Sequence, residues 1–204
     1  MFLVEKENSL GGLLKSRHHP SGCSFDTGTH FIIPTQNTLL DNLLFEDLPF
    51  ETCYHFKDSL LEGNYFNEIL NEYSGSIDVR SLPKDIFETG LVELLNAPED
   101  IGNYKNLKEK LVSVYGTTFS KHVFEPILAS LTGEPLDRLH PSANISFLLQ
   151  RLIVLSSEPT KEIKKSSLYD KKIAWTKNTD GKSTILKLYP KTGGAGRWVQ
   201  GLEK

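Results

Sequence analysis

At 204 residues the chain can hold one ordinary domain or two small ones, with enough length to bury a real core. Hydrophobic residues make up 38% and charged residues 24%, with 11 Phe, 7 Tyr and 2 Trp, a balance too apolar and aromatic for a disordered chain. The formal net charge is -3, and Lys and Arg are scattered instead of collected in a block, so the chain lacks the electrostatic footprint of a nucleic-acid binder.

Cys23 and Cys53 lie far apart and neither belongs to a C-x-x-C pair. That argues against a disulfide framework and a cysteine zinc site, and it points to a reducing compartment. No run approaches the ~20 apolar residues that span a bilayer, and Met1 to Val4 passes directly into Glu5 and Lys6, too short for a signal-peptide core. The expected address is the cytoplasm.

In chain order, Phe2-Leu3-Val4-Glu5-Lys6 reads as a buried strand ending in an acid and entering the Gly11-Gly12 turn. Ser24 to Ile33 alternates and is rich in Phe, Thr and Ile, which predicts a strand bent at Gly28. Leu39, Leu40, Leu43 and Leu44 have helical spacing within Thr38 to Leu48, and Pro49 limits that helix. Three short aromatic or β-branched pieces, Thr52 to Phe56, Gly63 to Phe66 and Ser76 to Val79, suit a small antiparallel sheet.

Pro83 sits at the start of a helix that runs through Leu91 and Leu95 before Pro98. The most clearly helical part follows, with Leu107, Leu111 and Tyr115, then Phe119, Val123, Ile127 and Leu131, punctuated by Gly116 and Gly133. Ser146 to Leu155 reads as another apolar helix, with Arg151 in need of a partner, and lysine-rich Lys161 to Lys172 as a solvated stretch. Two short apolar stretches bracket the turn-rich Asn178 to Lys182, and Pro190 to Gly196 forms a second glycine loop.

Glu5 with Gly11-Gly12 suits a dinucleotide site, in which a strand-ending acid accepts hydrogen bonds from ribose hydroxyls and glycines let backbone approach the pyrophosphate. The pair alone better describes an exposed acid beside an ordinary turn, since short motifs recur by chance. His18, His19, Cys23 and His30 match no standard zinc spacing, so no metal site is assigned. G-x-x-x-x-G-K-[ST] is absent, which leaves a P-loop unsupported.

Taken together, Val4-Glu5 through Gly11-Gly12-Leu13-Leu14-Lys15-Ser16, then Phe25-Asp26-Thr27-Gly28-Thr29-His30, resembles the opening of FAD-dependent oxidoreductases of the amine oxidase, protoporphyrinogen oxidase and UDP-galactopyranose mutase type. Tyr189-Pro190-Lys191-Thr192-Gly193-Gly194-Ala195-Gly196 resembles the stretch these flavoproteins place beside the isoalloxazine ring. Tyr115-Gly116, Phe119, Pro126 and Thr132-Gly133 resemble their helical segment, which leads into an Arg-bearing helix represented here by Arg151.

The resemblance implies an α/β architecture, α+β in this fragment. Both chain ends would form a partial Rossmann-like FAD-binding portion (1–36 and 173–204), and 37–172 a mainly helical substrate domain with a small sheet. It implies FAD as cofactor, Glu5 on ribose, Gly11, Gly12 and Ser16 near the dinucleotide, His30 near the flavin, and Gly193, Gly194 and Gly196 lining it. It names no catalytic residue.

No G-x-G-x-x-G precedes Glu5, so half of the cofactor site is missing and this polypeptide alone is expected to bind FAD weakly and to be inactive. The implied partner is a small-molecule substrate, a sugar nucleotide or another polar compound, with oligomeric state left open. The competing reading is a non-catalytic α+β domain that binds a partner or a nucleotide. Flavin retention by a version extended at both ends separates the two readings, and a shared cofactor site requires the two glycine loops to be close in space.

Overall fold

The computed structural model describes residues 5–28, 30–56, 62–100, 102–181 and 186–202. The chain divides into two compact units, one made of Met1–Leu60 with Ser183–Lys204 and the other of Leu61–Lys182. The two ends therefore fold together, and the middle is inserted between them. Segment 37–56 goes with the ends because its strand Cys53–Phe56 pairs antiparallel with Lys187–Pro190, and segment 173–181 goes with the middle because Ile173 bridges Leu152.

In the unit of the chain ends, Ser16–His18 and Ser24–Asp26 form a short antiparallel ribbon. Ile32 flanks the Lys187–Pro190 strand through paired hydrogen bonds with Leu188, 2.9 and 2.8 Å. The expected bent strand from Ser24 to Ile33 is thus split, with Ser24–Asp26 in one ladder and Ile32 bridged to another. Ile32, Phe45, Leu48, Cys53 and Leu188 are the buried core, joined by Leu44, Phe50, Leu186 and Trp198. Of the expected opening strand, residues 1–4 lie outside the described residues, while Glu5 and Lys6 are exposed and outside any strand.

The helix Thr38–Phe45 begins where Asn37 Oδ1 accepts from Leu39 and Leu40 N–H, a side-chain cap that satisfies two orphan donors. Its inward anchor is Phe45, whose ring lies 5.2 Å from Phe50 and 6.3 Å from Trp198. The spacing of its leucines predicts a buried stripe, yet Leu39, Leu40 and Leu43 face outward.

The middle unit is built on helices Lys84–Asn96, Leu107–Phe119 and Glu125–Thr132 around Val79, Leu94, Leu111, Phe119, Phe124 and Leu128. Gly116 interrupts the second helix at φ 86°, ψ 165°, a conformation open to glycine alone. The Glu93 carboxylate of the neighbouring helix accepts from Thr118 N–H at 2.7 Å and Thr118 Oγ1 at 3.0 Å, so it caps the restarted helix from outside. A Cβ on Gly116 would lie 2.4 Å from Glu93 Cβ, and one on Gly90 2.4 Å from Phe119 Cε1, so both glycines set how closely these helices approach. A wide π turn at Ser120–Phe124 follows, and Gly133 closes the third helix in the left-handed conformation.

Three expectations for this region are corrected. The pieces near Cys53, Asn64 and Ile77 do not share one antiparallel sheet. Cys53–Phe56 pairs with Lys187–Pro190, Asn64–Phe66 with Ile69–Asn71, and Ile77–Asp78 runs parallel to Leu152–Ile153. Ser146 to Leu155 is not a helix: a short helix ends at Ser146, and Leu152–Ile153 is a strand buried on both faces. A doubly buried parallel strand reads as a continuous apolar run, and periodicity cannot tell such a run from a buried helix. Arg151 consequently sits on no helix, and its Nε donates to the Asp170 carbonyl at 2.7 Å.

Lys161 to Lys172 is likewise not wholly solvated, because Lys164 and Lys172 are buried. Lys172 Nζ donates to the carbonyls of Ala97 and Pro98 at 2.8 and 3.0 Å, just past the end of the Lys84–Asn96 helix. Lys164 Nζ reaches Asp170 Oδ1 at 2.6 Å and the Ile173 carbonyl at 2.7 Å, under the Trp175 ring. Burial lowers the Lys172 pKa, opposed by the charges of Asp100 and Glu99, and the carbonyls satisfy its donors.

Gly116→Ala is expected to destabilise the middle unit by roughly 2 to 4 kcal/mol, from backbone strain and overpacking together. Urea denaturation followed by far-UV circular dichroism measures it. Val112→Ala, on a partly exposed position of the same helix, serves as the control and should cost far less.

Candidate functional site

The chain ends meet at Asp26. Strand register places it opposite Ser16, and Ser16 Oγ donates to Asp26 Oδ1 at 2.6 Å. Tyr189 Oη, from the strand near the other end of the chain, donates to Asp26 Oδ2 at 2.7 Å. The second glycine loop then closes onto the same pair, with Ala195 N–H on Asp26 Oδ1 at 3.0 Å and Gly196 N–H on Ser16 Oγ at 2.8 Å. Both carboxylate oxygens are engaged.

Glycine is required here by space as well as by backbone. Gly194 has φ +64°, and a Cβ on it would lie 2.4 Å from Ser16 Oγ and 2.5 Å from Asp26 Oδ1. A Cβ on Gly196 would lie 3.0 Å from the Ser16 nitrogen. The first glycine turn is in the same place, since a Cβ on Gly11, at φ +112°, would meet Val199 Cγ1 at 3.0 Å. The two glycine loops are therefore close in space, as a shared site requires.

Gly12 and Gly193 differ from these. At Gly12, φ +50°, an added Cβ would meet nothing within 4 Å, and at Gly193 only the Arg197 side chain, from 3.4 Å outward. Their backbone is open on one side to an approaching flat group. His30 is half-buried beside Gly28, and its Nε2 is buried with no hydrogen-bond partner among the described residues. Its proximity is enough for its charge to favour ionised Asp26.

Glu5 stands apart from this cluster in its contacts. It is exposed, and Oε1 accepts from the N–H groups of Lys6 and Glu7 at 2.7 and 3.0 Å, which holds its pKa below the usual carboxylate range. Of the eight residues singled out from sequence, Ser16, Gly194 and Gly196 are drawn together by these contacts, and Gly11 packs on Val199 of the helix that follows. Asp26 and Tyr189 are the two the sequence reading did not assign, and their only signal was a place inside the Phe-Asp-x-Gly and Tyr-Pro motifs.

The electrostatics suit a structural clamp. Burial pushes the Asp26 pKa up, but hydrogen bonds from Ser16, Tyr189 and Ala195, with the His30 charge, outweigh it and the net shift is downward. Burial and the bond to Asp26 push Tyr189 up to about 12. Near neutral pH the pair is a carboxylate and a neutral phenol, neither poised to exchange a proton with a substrate. Among the described residues no group of three or more His, Cys, Asp and Glu is placed to hold a metal, and no helix is long and apolar enough to cross a membrane.

No family model matches the chain, and no curated protein matches it. Among solved structures it resembles the crystal structure of reduced UDP-galactopyranose mutase, with a TM-score of 0.63 over 95% of this chain. The likeness is one of fold. Identity is 15%, and the alignment takes in 38% of the other chain, so the present chain matches well under half of that protein's length. The mixture of helices with small sheets is an α+β arrangement, and every strand pair described in the unit of the chain ends is antiparallel.

Asp26→Asn should lower the stability of this unit by about 1 to 3 kcal/mol, since it replaces charge-assisted hydrogen bonds. Fluorescence of Trp198 in a Trp175→Phe background reports the unit. The pH dependence has a definite sign. A depressed carboxylate pKa stabilises above its unfolded value near ~4 and that stability is lost as pH falls through the folded value, whereas the raised Tyr189 pKa contributes below ~10 and is lost as pH rises through about 12. Asp26→Asn should flatten the acid limb and Tyr189→Phe the alkaline one.

Proposed function

We propose that this chain is one portion of an FAD-dependent oxidoreductase-like protein, in which the unit of the chain ends carries part of the dinucleotide site and the helical middle shapes the substrate pocket. The observation that carries this reading is the closure of the second glycine loop onto Ser16 and Asp26, with Gly11 of the first turn packed on Val199 of the helix that follows that loop. The fold likeness to UDP-galactopyranose mutase and the motif resemblance at both chain ends support it from two separate directions. A polar substrate of the sugar-nucleotide class is favoured by what that neighbour is named for.

In this reading the glycines divide the work. Gly194 and Gly196 let the second loop close on Ser16 and Asp26, while Gly12 and Gly193 offer open backbone to the pyrophosphate and the ring. Glu5 Oε2 takes ribose hydroxyls, its Oε1 being held by its own turn. Buried His30 Nε2 gains its missing partner from the flavin side, which would remove a cost of order 1–3 kcal/mol. FAD, once bound, supplies the electron-accepting ring, and the chain supplies position and exclusion of water.

The test is a titration of FAD, read by flavin fluorescence, into this chain and into a longer polypeptide in which a strand and a G-x-G-x-x-G turn precede residue 1. Weak binding by the chain and tight binding by the longer form, lost in Gly194→Ala, is the expected result. A folded longer form that leaves FAD free would remove the flavoenzyme reading and favour a non-catalytic α+β binding domain.

A further inference from the structure

The helix Thr38–Phe45 turns only one side inward, through Leu44 and Phe45. On the opposite side Leu39, Leu40 and Leu43 are 82%, 47% and 67% exposed. Leu39 and Leu43 are one turn apart and Leu40 lies beside them, so the three form one continuous ridge. A single exposed leucine is ordinary, but three on one helix face make a patch with a direction. Alongside it runs an open groove of about 810 Å³, lined in part by Leu43, Phe45, Glu46, Pro49, Phe50 and Glu51.

Charge narrows what can cover it. From Thr38 to Glu51 the chain carries Asp41, Glu46, Asp47 and Glu51 and no Lys, Arg or His. Asp41 is occupied by Thr35, whose N–H and hydroxyl it accepts at 2.8 and 2.7 Å, while Glu46 and Glu51 are exposed on the rim. Two neighbouring cationic or titratable groups go to backbone: Lys191 Nζ donates to the Glu51 carbonyl at 2.9 Å and His55 Nε2 pairs with the Phe50 carbonyl at 2.7 Å. An acidic rim repels an anionic membrane surface, and it repels a second acidic copy of itself. It attracts a cationic partner.

We propose that the Leu39–Leu43 ridge and its acidic groove are a docking site for a basic amphipathic helix of a partner protein. Leucines of the partner at i and i+4 interlock with Leu39, Leu40 and Leu43, and its flanking lysines or arginines meet Glu46 and Glu51. The proposal is independent of the flavin reading, since none of these residues belongs to the Ser16 and Asp26 cluster.

The test uses the full chain and two fluorescein-labelled peptides of about 18 residues, one with a leucine stripe and lysines, the other with the same stripe and glutamates. Fluorescence anisotropy is measured at low and high salt. The Leu/Lys peptide should bind, Leu39→Ser with Leu43→Ser should weaken it at least about tenfold, and Glu46→Gln with Glu51→Gln should weaken it and reduce its salt sensitivity. All four positions are solvent-exposed or at the rim, and circular dichroism confirms that the variants keep their fold. Binding of neither peptide, equal binding of both, or indifference to the leucine changes would overturn the proposal. So would a concentration-dependent dimer that Leu39→Ser with Leu43→Ser dissolves, because it would assign the ridge to a second copy.

Discussion

The Asp26 carboxylate is the constraint on which the unit of the chain ends depends. It is the only group there that takes hydrogen bonds from the first ribbon, the Lys187–Pro190 strand and the second glycine loop among the bonds described. Its neighbours have small apolar cores and two-stranded ladders, which are marginal alone, so a shared charged acceptor does much of the fastening. The glycines follow from it. Gly194 and Gly196 leave room for Ser16 and Asp26, and the backbone N–H of Ala195 and Gly196 can then reach their oxygens.

The inserted unit is fastened by a different logic. Helices Lys84–Asn96 and Leu107–Phe119 approach at Gly90 and Gly116, and the break in the helix at Gly116 exposes donors that Glu93 takes up. Lys172 performs the complementary service at the other pole, donating to carbonyls that follow the first helix. In both cases a charged side chain is drawn inward, Glu93 to half-burial and Lys172 to full burial, because a helix end has backbone groups left over. Polar composition alone places such residues at the surface, and here it misleads.

The sequence made some of this legible for physical reasons. Helices bounded by Pro83 and Pro98, and by Gly133, declared themselves through caps and spacing, and both glycine loops were recognisable as turns. What failed was whatever depended on long-range partners. The Leu152–Ile153 strand is helical or extended depending on whether Ile77 and Ile173 lie beside it, and Cys53–Phe56 pairs with residues about 135 positions later instead of with nearby pieces. Glu5 and Gly12 were readable as residues, but Asp26 as a clamp was not, since its role is defined by Tyr189 and Ala195, more than 160 residues away.

That separation bears on how the molecule is made. The bonds that tie Ser16 and Asp26 to Tyr189, Ala195 and Gly196 span 163 to 180 residues of chain. At ribosomal speeds of about 5–20 residues per second, the first ribbon emerges roughly ten seconds or more before its partners exist. The contiguous middle can fold meanwhile, and the Asn178 N–H bond to the Tyr73 carbonyl at 2.8 Å shortens the loop that must close. Birth order and folding order are thus opposed: the earlier segment is among the last to be secured, and until then Ile32, Phe45 and Leu48, whose core partners include Leu188 and Trp198, wait uncovered for any chaperone that reads apolar chain.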